Sequence, residues 1–350
     1  MAEVSICGVR IRGIAAAVPE QTLGIEDLID RFGAETAEKL VASTGVRFRH
    51  IVKPGHTTGD LCELAARALL ERLDWDPKSV DLLIMVSTTF DYIAPATSCI
   101  LHGKLGMSKH AAAFDVGLGC SGWVYGLWLA ASLIKTGCKR ALVLAGDTAT
   151  QAISPFDKYG ALSGDAGTAS ALEAALDDVL HCSVGTDGVR WQALWVPAGG
   201  FRKRSSSETR EYHDCEDGVR RSDEHTHMNG PDIFAFTIRE VPPLVDRTLA
   251  LAGWTKDQVD AFVLHQANKY MLDYLAKRMK LPVDKIPFSI QDFGNTSSAS
   301  LPLTIQQQLR EKLSGSSMNL FMAGFGVGLS WGAVAANVGP LVVPELQFLP

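Results

Sequence analysis

Cys120 is the residue best placed to do chemistry, because it lies in the turn Gly119-Cys120-Ser121-Gly122. Residues 112–116 before it predict a short buried strand, and residues 121–134 after it form an apolar run typical of a helix. Free N–H groups and the helix dipole at such a position favour a thiolate, and the flanking glycines let a substrate approach the sulfur. The pattern predicts a nucleophile, and a small buried core cysteine is the alternative.

Three other turns carry polar side chains or glycines of similar character. His265 follows an apolar run, Asn295 lies in a glycine-containing loop, and Gly326-Val327-Gly328 follows another apolar run. Because parallel strands place their ligand crevice at their carboxyl ends, we expect these turns to converge on Cys120. The ordinary alternatives are a structural histidine and an asparagine that caps a helix. The glycine turn lacks the six-position fingerprint and the following helix of a nicotinamide site.

Alternating strands and helices must position these turns. In the first half the pattern predicts strands over 4–18, 82–87, 112–116 and 140–145, and helices over 25–41, 58–73, 97–105 and 121–134. In the second half it predicts helices over 232–251, 267–279 and 298–312, and strands over 259–264 and 319–323. This alternation favours right-handed crossovers and a largely parallel sheet that is covered on both faces.

The alternation stops between residues 199 and 231, where charges of both signs replace the apolar residues. This composition predicts an exposed loop or a lid, and a basic connection over 44–51 is also expected to be exposed. The loop contains His213, Cys215, His225 and His227, whose spacing matches no standard metal site. We therefore predict an N-terminal half over 1–190, a connecting loop over 191–231 and a C-terminal half over 232–350.

Composition excludes several classes of protein. Hydrophobic residues make up 47% of the 350-residue chain, and the net charge of −6 argues against nucleic-acid binding. No apolar run is long enough to cross a membrane, and the first residues lack the pattern of an export signal. The seven cysteines are scattered without Cys-x-x-Cys spacing, which favours a reducing cytoplasm over a disulfide framework or a zinc ribbon.

Taken together, Gly-Cys120-Ser-Gly, His265-Gln-Ala-Asn268 and Gly-Asn295-Thr-Ser resemble the Cys–His–Asn set of β-ketoacyl-acyl-carrier-protein synthase III. The resemblance runs from Thr44-Gly-Val-Arg through Ser163-Gly-Asp-Ala-Gly167 to the glycine-rich segment 324–332. It implies the five-layered αβαβα thiolase-like fold, an α/β fold of two similar halves. It also implies a homodimer.

The resemblance also implies a reaction. Cys120 would take the acyl group from an acyl-CoA or acyl-acyl-carrier-protein donor, and the N–H groups of Cys120 and Val327 would form the oxyanion hole. A malonyl thioester, carried by acyl carrier protein or by coenzyme A, would then lose carbon dioxide. The imidazole N–H of His265 and the amide of Asn295 would hold the resulting enolate. No metal and no redox cofactor is expected.

The chain departs from the family where coenzyme A binds. Aligned on Thr44-Gly45, Lys39 and Ser43 replace the family's tryptophan and arginine, and Lys158 corresponds to a second arginine. Tyr270 replaces a third arginine, and Lys269 lies beside it, after Asn268. Ala94, before Pro95, stands where short-chain members carry an aromatic residue that faces the acyl pocket, often from the partner subunit. A starter longer or bulkier than acetyl is therefore expected, unless neighbours such as Phe90 refill the space.

Other uses of the same residues remain open at this stage. The nearest alternatives keep Cys120 as the acyl carrier but end in non-decarboxylative Claisen condensation or in acyl transfer to an alcohol or amine. A non-catalytic scaffold is disfavoured because Cys120, His265 and Asn295 are all present. A papain-like protease also uses Cys, His and Asn, but its cysteine motif is absent from the sequence.

Overall fold

The computed structural model describes residues 2–350. Its strands are β1 (Ala2–Pro19), β2 (Thr22–Leu23), β3 (Arg49–His50), β4 (Leu82–Val86), β5 (Ala112–Val116), β6 (Arg140–Asp147), β7 (Ala166–Thr186), β8 (Leu194–Trp195), β9 (His213–Asp214), β10 (Arg220–Arg221), β11 (His227–Met228), β12 (Ala261–Leu264), β13 (Met318–Gly326), β14 (Ser330–Val338) and β15 (Gln347–Leu349). Its helices are α1 (Ile25–Phe32), α2 (Ala34–Thr44), α3 (Thr58–Leu73), α4 (Thr97–Leu105), α5 (Gly122–Lys135), α6 (Gly230–Ala252), α7 (Lys269–Met279), α8 (Ile290–Phe293), α9 (Ser300–Gln308) and α10 (Arg310–Gly315).

The main sheet has the strand order β12-β13-β14-β7-β6-β4-β5, and β1 pairs with both β7 and β15. The prediction of a largely parallel sheet is wrong, because the long strands β1 and β7 run antiparallel to each other. β7 also pairs antiparallel with β6 through its first residues and with β14 through its last. Parallel pairing is confined to β4 with β5 and β6, β12 with β13, and β1 with β15. A single long strand therefore joins the strands of both halves.

In the first half, alternate residues of the buried strands separate into two cores, as the two-residue period of a strand requires. Leu83 and Met85 of β4 belong to a core with α3 and α4. Ile84 and Val86, on the other face of the same strand, belong to a core with α5. The sheet is thus covered by helices on both faces.

In the second half, alternate residues of β13 belong to two different cores in the same way. Phe321 and Ala323 pack in a core with α6 and α7. Leu320 and Met322 belong to the core that contains α5 together with residues of α9. The order of layers is therefore α3 and α4, sheet, α5 and α9, sheet, α6 and α7, which is the five-layered αβαβα arrangement.

Several elements differ locally from the sequence-based predictions. The helix expected over 25–41 is two helices, because Gly33 between them has φ of 81°. The helix expected over 298–312 begins at Ser300 and is interrupted at Leu309. Helix α3 is capped by Thr57, one residue earlier than expected, in a capping box with Asp60.

The basic connection over 44–51 is not exposed throughout. Arg49 and His50 form β3, pair with β2 and are buried. Arg49 donates a 2.6 Å hydrogen bond to Asp27, which offsets the cost of burying its charge. Tertiary contacts of this kind leave no periodic signal in the sequence.

The charged segment 199–231 is exposed over most of its length and contains the short strands β9, β10 and β11. Arg221 attaches it to the body of the protein through a 2.7 Å ion pair with Asp157, and both side chains are buried. None of the helices in residues 2–350 is long and apolar enough to cross a membrane. The seven cysteines carry free thiols.

Candidate active site

Cys120 lies in the turn between β5 and α5, and α5 begins at Gly122. The end of β13 passes directly beside it. A Cβ atom added to Gly326 would lie 2.8 Å from the Cys120 sulfur, and one added to Gly324 would lie 2.4 Å from its carbonyl oxygen. Glycine is required at both positions because the backbone of the second half approaches the cysteine so closely.

The sulfur is held as a thiol in the free protein. Burial, and to a lesser extent the negative charge of Asp147, raise the pKa of the Cys120 thiol to about 11. The Ser297 hydroxyl, 3.9 Å from the sulfur, and the N–H groups of Val327 and Cys120 lower the pKa by less. The prediction that the helix start favours a thiolate is therefore wrong for the resting state, because desolvation outweighs the nearby donors.

His265 follows β12 and is buried, with 1% of its surface exposed. Its backbone N–H donates to the carbonyl of Ala323 at 2.8 Å, which extends the pairing of β12 with β13. Its Nδ1 atom lies 2.7 Å from the Ser300 hydroxyl, and its ring packs edge-on against Phe325. Burial lowers the pKa of His265 to about 3, so the imidazole is neutral at physiological pH.

Asn295 is fixed by backbone contacts with the first half of the chain. Its N–H donates to Leu162 at 2.8 Å, and its carbonyl accepts from Gly164 at 3.1 Å. The N–H of Ser297 donates to Oδ1 of Asn295 at 2.9 Å, which turns the amide NH₂ group into the free donor end. Asn295 does not cap the following helix, because the N-cap of α9 is Ala299.

The structure brings Cys120, His265 and Asn295 together in one cavity of about 110 Å³, which we name the histidine cavity. Asn268 also lines it, and the Oδ1 atom of this residue accepts the N–H of Met271 and so caps α7. The sequence-based expectation that the glycine-containing turns converge on the cysteine is confirmed.

A second cavity, of about 190 Å³, shares Cys120, Tyr159, Leu194 and Asn295 with the first. Its remaining walls are mostly apolar, and we name it the apolar cavity. Those walls are Thr88, Ala149, Ile153, Ser163, Trp195, Val196, Thr226, Ser297 and Val327. Cys120 therefore borders two adjoining spaces, one with polar donors and one with an apolar lining.

Sequence reasoning missed three polar residues of the site. Asp147 is completely buried at the end of β6, and its carboxylate accepts hydrogen bonds from Thr88 at 2.7 Å and from the Ser298 hydroxyl at 2.7 Å. It therefore ties the loop after β4 to the loop that carries Asn295. Ser297 and Ser300 contact the cysteine and the histidine. The only sequence signal for the two serines is the unusual density of serine after Asn295. The only sequence signal for Asp147 is that a charged residue follows a strongly apolar run.

The expected substrate-binding residues are more dispersed. Lys158 and Lys269 are exposed, and Lys269 forms an ion pair with Asp273. Tyr270 is 62% exposed and packs against Phe234. Ala94 lies on an exposed loop that precedes α4 and is not among the residues that line the two cavities.

The largest depression, of about 750 Å³, is formed by the charged segment and the start of α6. It shares Met228 and Gly230 with the histidine cavity and therefore opens beside it. His213, Cys215 and His227 line the depression. Within residues 2–350, no group of three or more His, Cys, Asp or Glu side chains is arranged to hold a metal ion.

Comparison with known proteins gives consistent matches over the chain. Residues 114–188 match the family 3-oxoacyl-[acyl-carrier-protein] synthase III, and residues 249–338 match the C-terminal region of the same family. A β-ketoacyl-[acyl-carrier-protein] synthase III of Symbiobacterium thermophilum is 33% identical over 95% of this chain and 98% of its own.

Solved structures agree with this result. The 3-oxoacyl-(acyl-carrier protein) synthase of Burkholderia xenovorans LB400 is 40% identical, with a TM-score of 0.94 and 99% of each chain covered. The 3-oxoacyl-(acyl carrier protein) synthase III of Pseudomonas aeruginosa PAO1 is 30% identical, with a TM-score of 0.84 over 96% of this chain and 99% of its own.

Proposed function

The chain belongs to the 3-oxoacyl-[acyl-carrier-protein] synthase III family, and we propose that Cys120, His265 and Asn295 perform its condensation reaction. The protein is an acyltransferase, a condensing enzyme of the ketosynthase III type. The observation that supports the assignment of roles is that all three side chains line one cavity. Acyl transfer to an alcohol or amine, or condensation without decarboxylation, is not favoured.

In the first half-reaction, the Cys120 sulfur attacks the carbonyl carbon of an acyl thioester. The thiol loses its proton as the sulfur–carbon bond forms, and the N–H groups of Cys120 and Val327 stabilise the negative charge on the carbonyl oxygen. Collapse of this intermediate breaks the bond to the carrier sulfur. The carrier leaves as a thiol that takes up the proton, and the acyl group remains on Cys120.

In the second half-reaction, a malonyl thioester occupies the histidine cavity. Its carbon–carbon bond to the carboxylate breaks, carbon dioxide leaves, and the electron pair forms an enolate. A neutral His265 and the Asn295 amide stabilise the enolate oxygen as hydrogen-bond donors without protonating its carbon. The enolate carbon attacks the acyl carbonyl and displaces the Cys120 sulfur, which recovers a proton.

We propose where the carrier of each thioester binds from the residues at the surface near the histidine cavity. Asn268 lines the histidine cavity, and the adjacent Lys269 is exposed. Lys158 is exposed beside Tyr159, which lines both cavities. We assign these residues to the phosphate-bearing arm of coenzyme A or acyl carrier protein, because an ammonium group binds phosphate as a point charge.

A homodimer is supported by the edge of the sheet. β5 is the last strand in the order, so one row of its backbone groups faces away from the sheet. Four partly buried apolar residues lie on β5 and on the following helix α5, namely Phe114, Val116, Tyr125 and Trp128. A second copy that covers this edge would bury them. We also propose a cytoplasmic location, which the seven free thiols support.

Release of carbon dioxide tests the reaction directly. The protein is loaded with an acyl group and then mixed with malonyl-acyl carrier protein labelled in its free carboxylate. We expect one labelled carbon dioxide for each β-ketoacyl product. Product formation with the label retained would show non-decarboxylative condensation and contradict the proposal.

A further inference from the structure

The apolar cavity has the lining expected of a pocket for a hydrocarbon chain. Leu194, Trp195, Val196 and Ile153 form its apolar walls, and Cys120 borders it. His265 and Asn268 border the other cavity. If the malonyl thioester occupies the histidine cavity, the acyl chain on Cys120 extends into the apolar cavity, so this inference rests on the proposed function.

The volume of the cavity limits the size of the acyl group. An apolar protein cavity of about 150 Å³ accommodates benzene, which has six carbon atoms. By the same proportion, the apolar cavity of about 190 Å³ holds on the order of six to eight carbons. An acetyl group would leave most of this space empty and would forfeit the packing contacts that stabilise a longer chain.

Ile153 lines the apolar cavity together with Cys120. Cys120 borders the histidine cavity, whereas Ile153 borders a third cavity, of about 420 Å³, which we name the arginine cavity. Arg31, Arg49, Leu23 and Val52 are among the residues that line the arginine cavity. Ile153 is the one lining residue that the apolar cavity and the arginine cavity share.

The backbone beside Ile153 and the Ile153 side chain each make a contact that positions this residue. The carbonyl of the preceding residue, Ala152, accepts the N–H of Thr226 at 2.7 Å. A Cβ atom added to Gly160 would lie 3.3 Å from Cγ2 of Ile153, which shows that the side chain packs against that glycine. Ile153 itself is 9% exposed.

We propose that the enzyme takes a straight-chain acyl group of about six to eight carbons, and that Ile153 sets the longest chain that Cys120 accepts. Longer chains meet the isoleucine side chain. A smaller side chain at this position joins the apolar and arginine cavities into one channel, which lets the chain continue beyond residue 153.

The test is acylation of Cys120 by a series of saturated acyl-CoA thioesters from acetyl to tetradecanoyl, followed by intact-mass measurement. For the wild-type protein we expect the rate to be highest at about six to eight carbons. The rate for tetradecanoyl should be lower by about tenfold or more, because the longer chain clashes with the buried isoleucine.

Two substitutions of Ile153 should change the longest acyl chain that Cys120 accepts, in opposite directions. Ile153→Gly should raise the rate for dodecanoyl and tetradecanoyl thioesters by about tenfold, and Ile153→Phe should lower the rate for octanoyl while butyryl still reacts. Leu23→Ala is the matched control, because it enlarges only the arginine cavity and should keep the wild-type preference. Retained acylation by the short thioesters shows that each variant is folded.

A wild-type preference for acetyl, or equal acylation rates at all chain lengths, would overturn this inference. The proposed function would still stand in either case, because Cys120 would have been acylated. An unchanged length profile in Ile153→Phe would also overturn it. If no thioester acylated Cys120 although iodoacetamide still alkylated it, the proposed function itself would fail, and the inference with it.

Discussion

The hydroxyl oxygen of Ser300 lies 2.7 Å from Nδ1 of His265, and the histidine is almost completely buried. A hydroxyl that donates to Nδ1 leaves the imidazole proton on Nε2. The neutral ring then presents an N–H donor at its other nitrogen, which is the form that the proposed enolate stabilisation requires. We therefore predict that Ser300 is a positioning residue that acts through His265.

Ser300→Ala should lower the rate of malonyl decarboxylation by about tenfold, as expected for a donor that loses its fixed orientation. Cys120 acylation should be nearly unchanged. The ¹⁵N chemical shifts of His265 should move from a single Nε2–H tautomer toward a mixture, and Ser300→Thr should restore them.

Ser289→Ala is the matched control for Ser300. It removes another buried hydroxyl, whose 2.7 Å hydrogen bond goes to Thr304 instead of the histidine. Both substitutions should lower the free energy of unfolding by about 1 kcal/mol. Only Ser300→Ala should change the histidine tautomer, and equal effects of the two on decarboxylation would indicate a merely structural role.

His265→Ala and Asn295→Ala should separate the two half-reactions. Each removes a donor to the enolate, so decarboxylation should fall by about 100-fold or more. Acylation of Cys120 should continue, because the N–H groups of Cys120 and Val327 remain. Acyl-enzyme formation is followed by intact mass, and carbon dioxide release is measured in parallel. Loss of acylation with decarboxylation preserved would reverse the assigned roles.

Cys120→Ser should abolish stable acylation by acyl-CoA, while the other six cysteines stay unmodified. Cys62 and Cys182 are also buried, and burial raises the pKa of the Cys62 thiol well above its usual range and that of Cys182 to about 12. Only Cys120 borders the two cavities described above. Intact mass of the variant, with peptide mapping of the wild type, is the measurement. Stoichiometric acylation of Cys120→Ser would remove Cys120 from the mechanism.

Asp147→Asn should lower the pKa of Cys120, because the negative carboxylate disfavours a nearby thiolate. The rate at which iodoacetamide alkylates Cys120 is measured as a function of pH by peptide mass. The midpoint of this pH dependence should lie at a lower pH in the variant than in the wild type. Asp81→Asn is the control, since Asp81 accepts backbone N–H groups near residue 140 and does not contact the site. A midpoint that does not move would exclude Asp147 as a cause of the raised pKa.

His265 should make folding stability depend on pH. Burial lowers the pKa of His265 in the folded protein to about 3, below the 6.5 of an ordinary histidine, so the unfolded chain binds the proton more tightly. The contribution of His265 is fully present above pH 6.5 and decreases as the pH falls toward 3. The slope is about 1.4 kcal/mol per pH unit.

Urea unfolding at pH 6.5, 5.5 and 4.5 measures this slope. His265→Ala should have a slope smaller by about 1.4 kcal/mol per pH unit than that of the wild type. Asn295→Ala removes a neighbouring side chain that does not titrate, so it should keep the wild-type slope. Identical slopes in all three proteins would mean that His265 is not buried in its neutral form.

The sequence by itself predicted much of the local structure. Helix α4 and strand β5 have the bounds that periodicity assigned to residues 97–105 and 112–116. The turns at Cys120 and His265 stand out in the sequence because a polar residue follows an apolar run, and the turn at Asn295 stands out as a glycine-containing loop before a helix. The sequence shows that Gly326 is part of a turn, but it does not show how closely the backbone of Gly326 approaches the Cys120 sulfur.

The tertiary structure decided what depends on contacts between distant parts of the chain. The antiparallel pairing of β1 with β7 joins residues about 170 positions apart, and no local pattern encodes it. The state of the Cys120 thiol was mispredicted for the same reason. Its helix start is visible in the sequence, but its desolvation and the charge of Asp147 are not. The pairing of His265 with Ser300, 35 residues away, and the position of Ile153 between two cavities likewise exist only after folding. Periodicity reports which face of an element is buried, whereas packing between elements sets the protonation of a buried group and the size of a cavity.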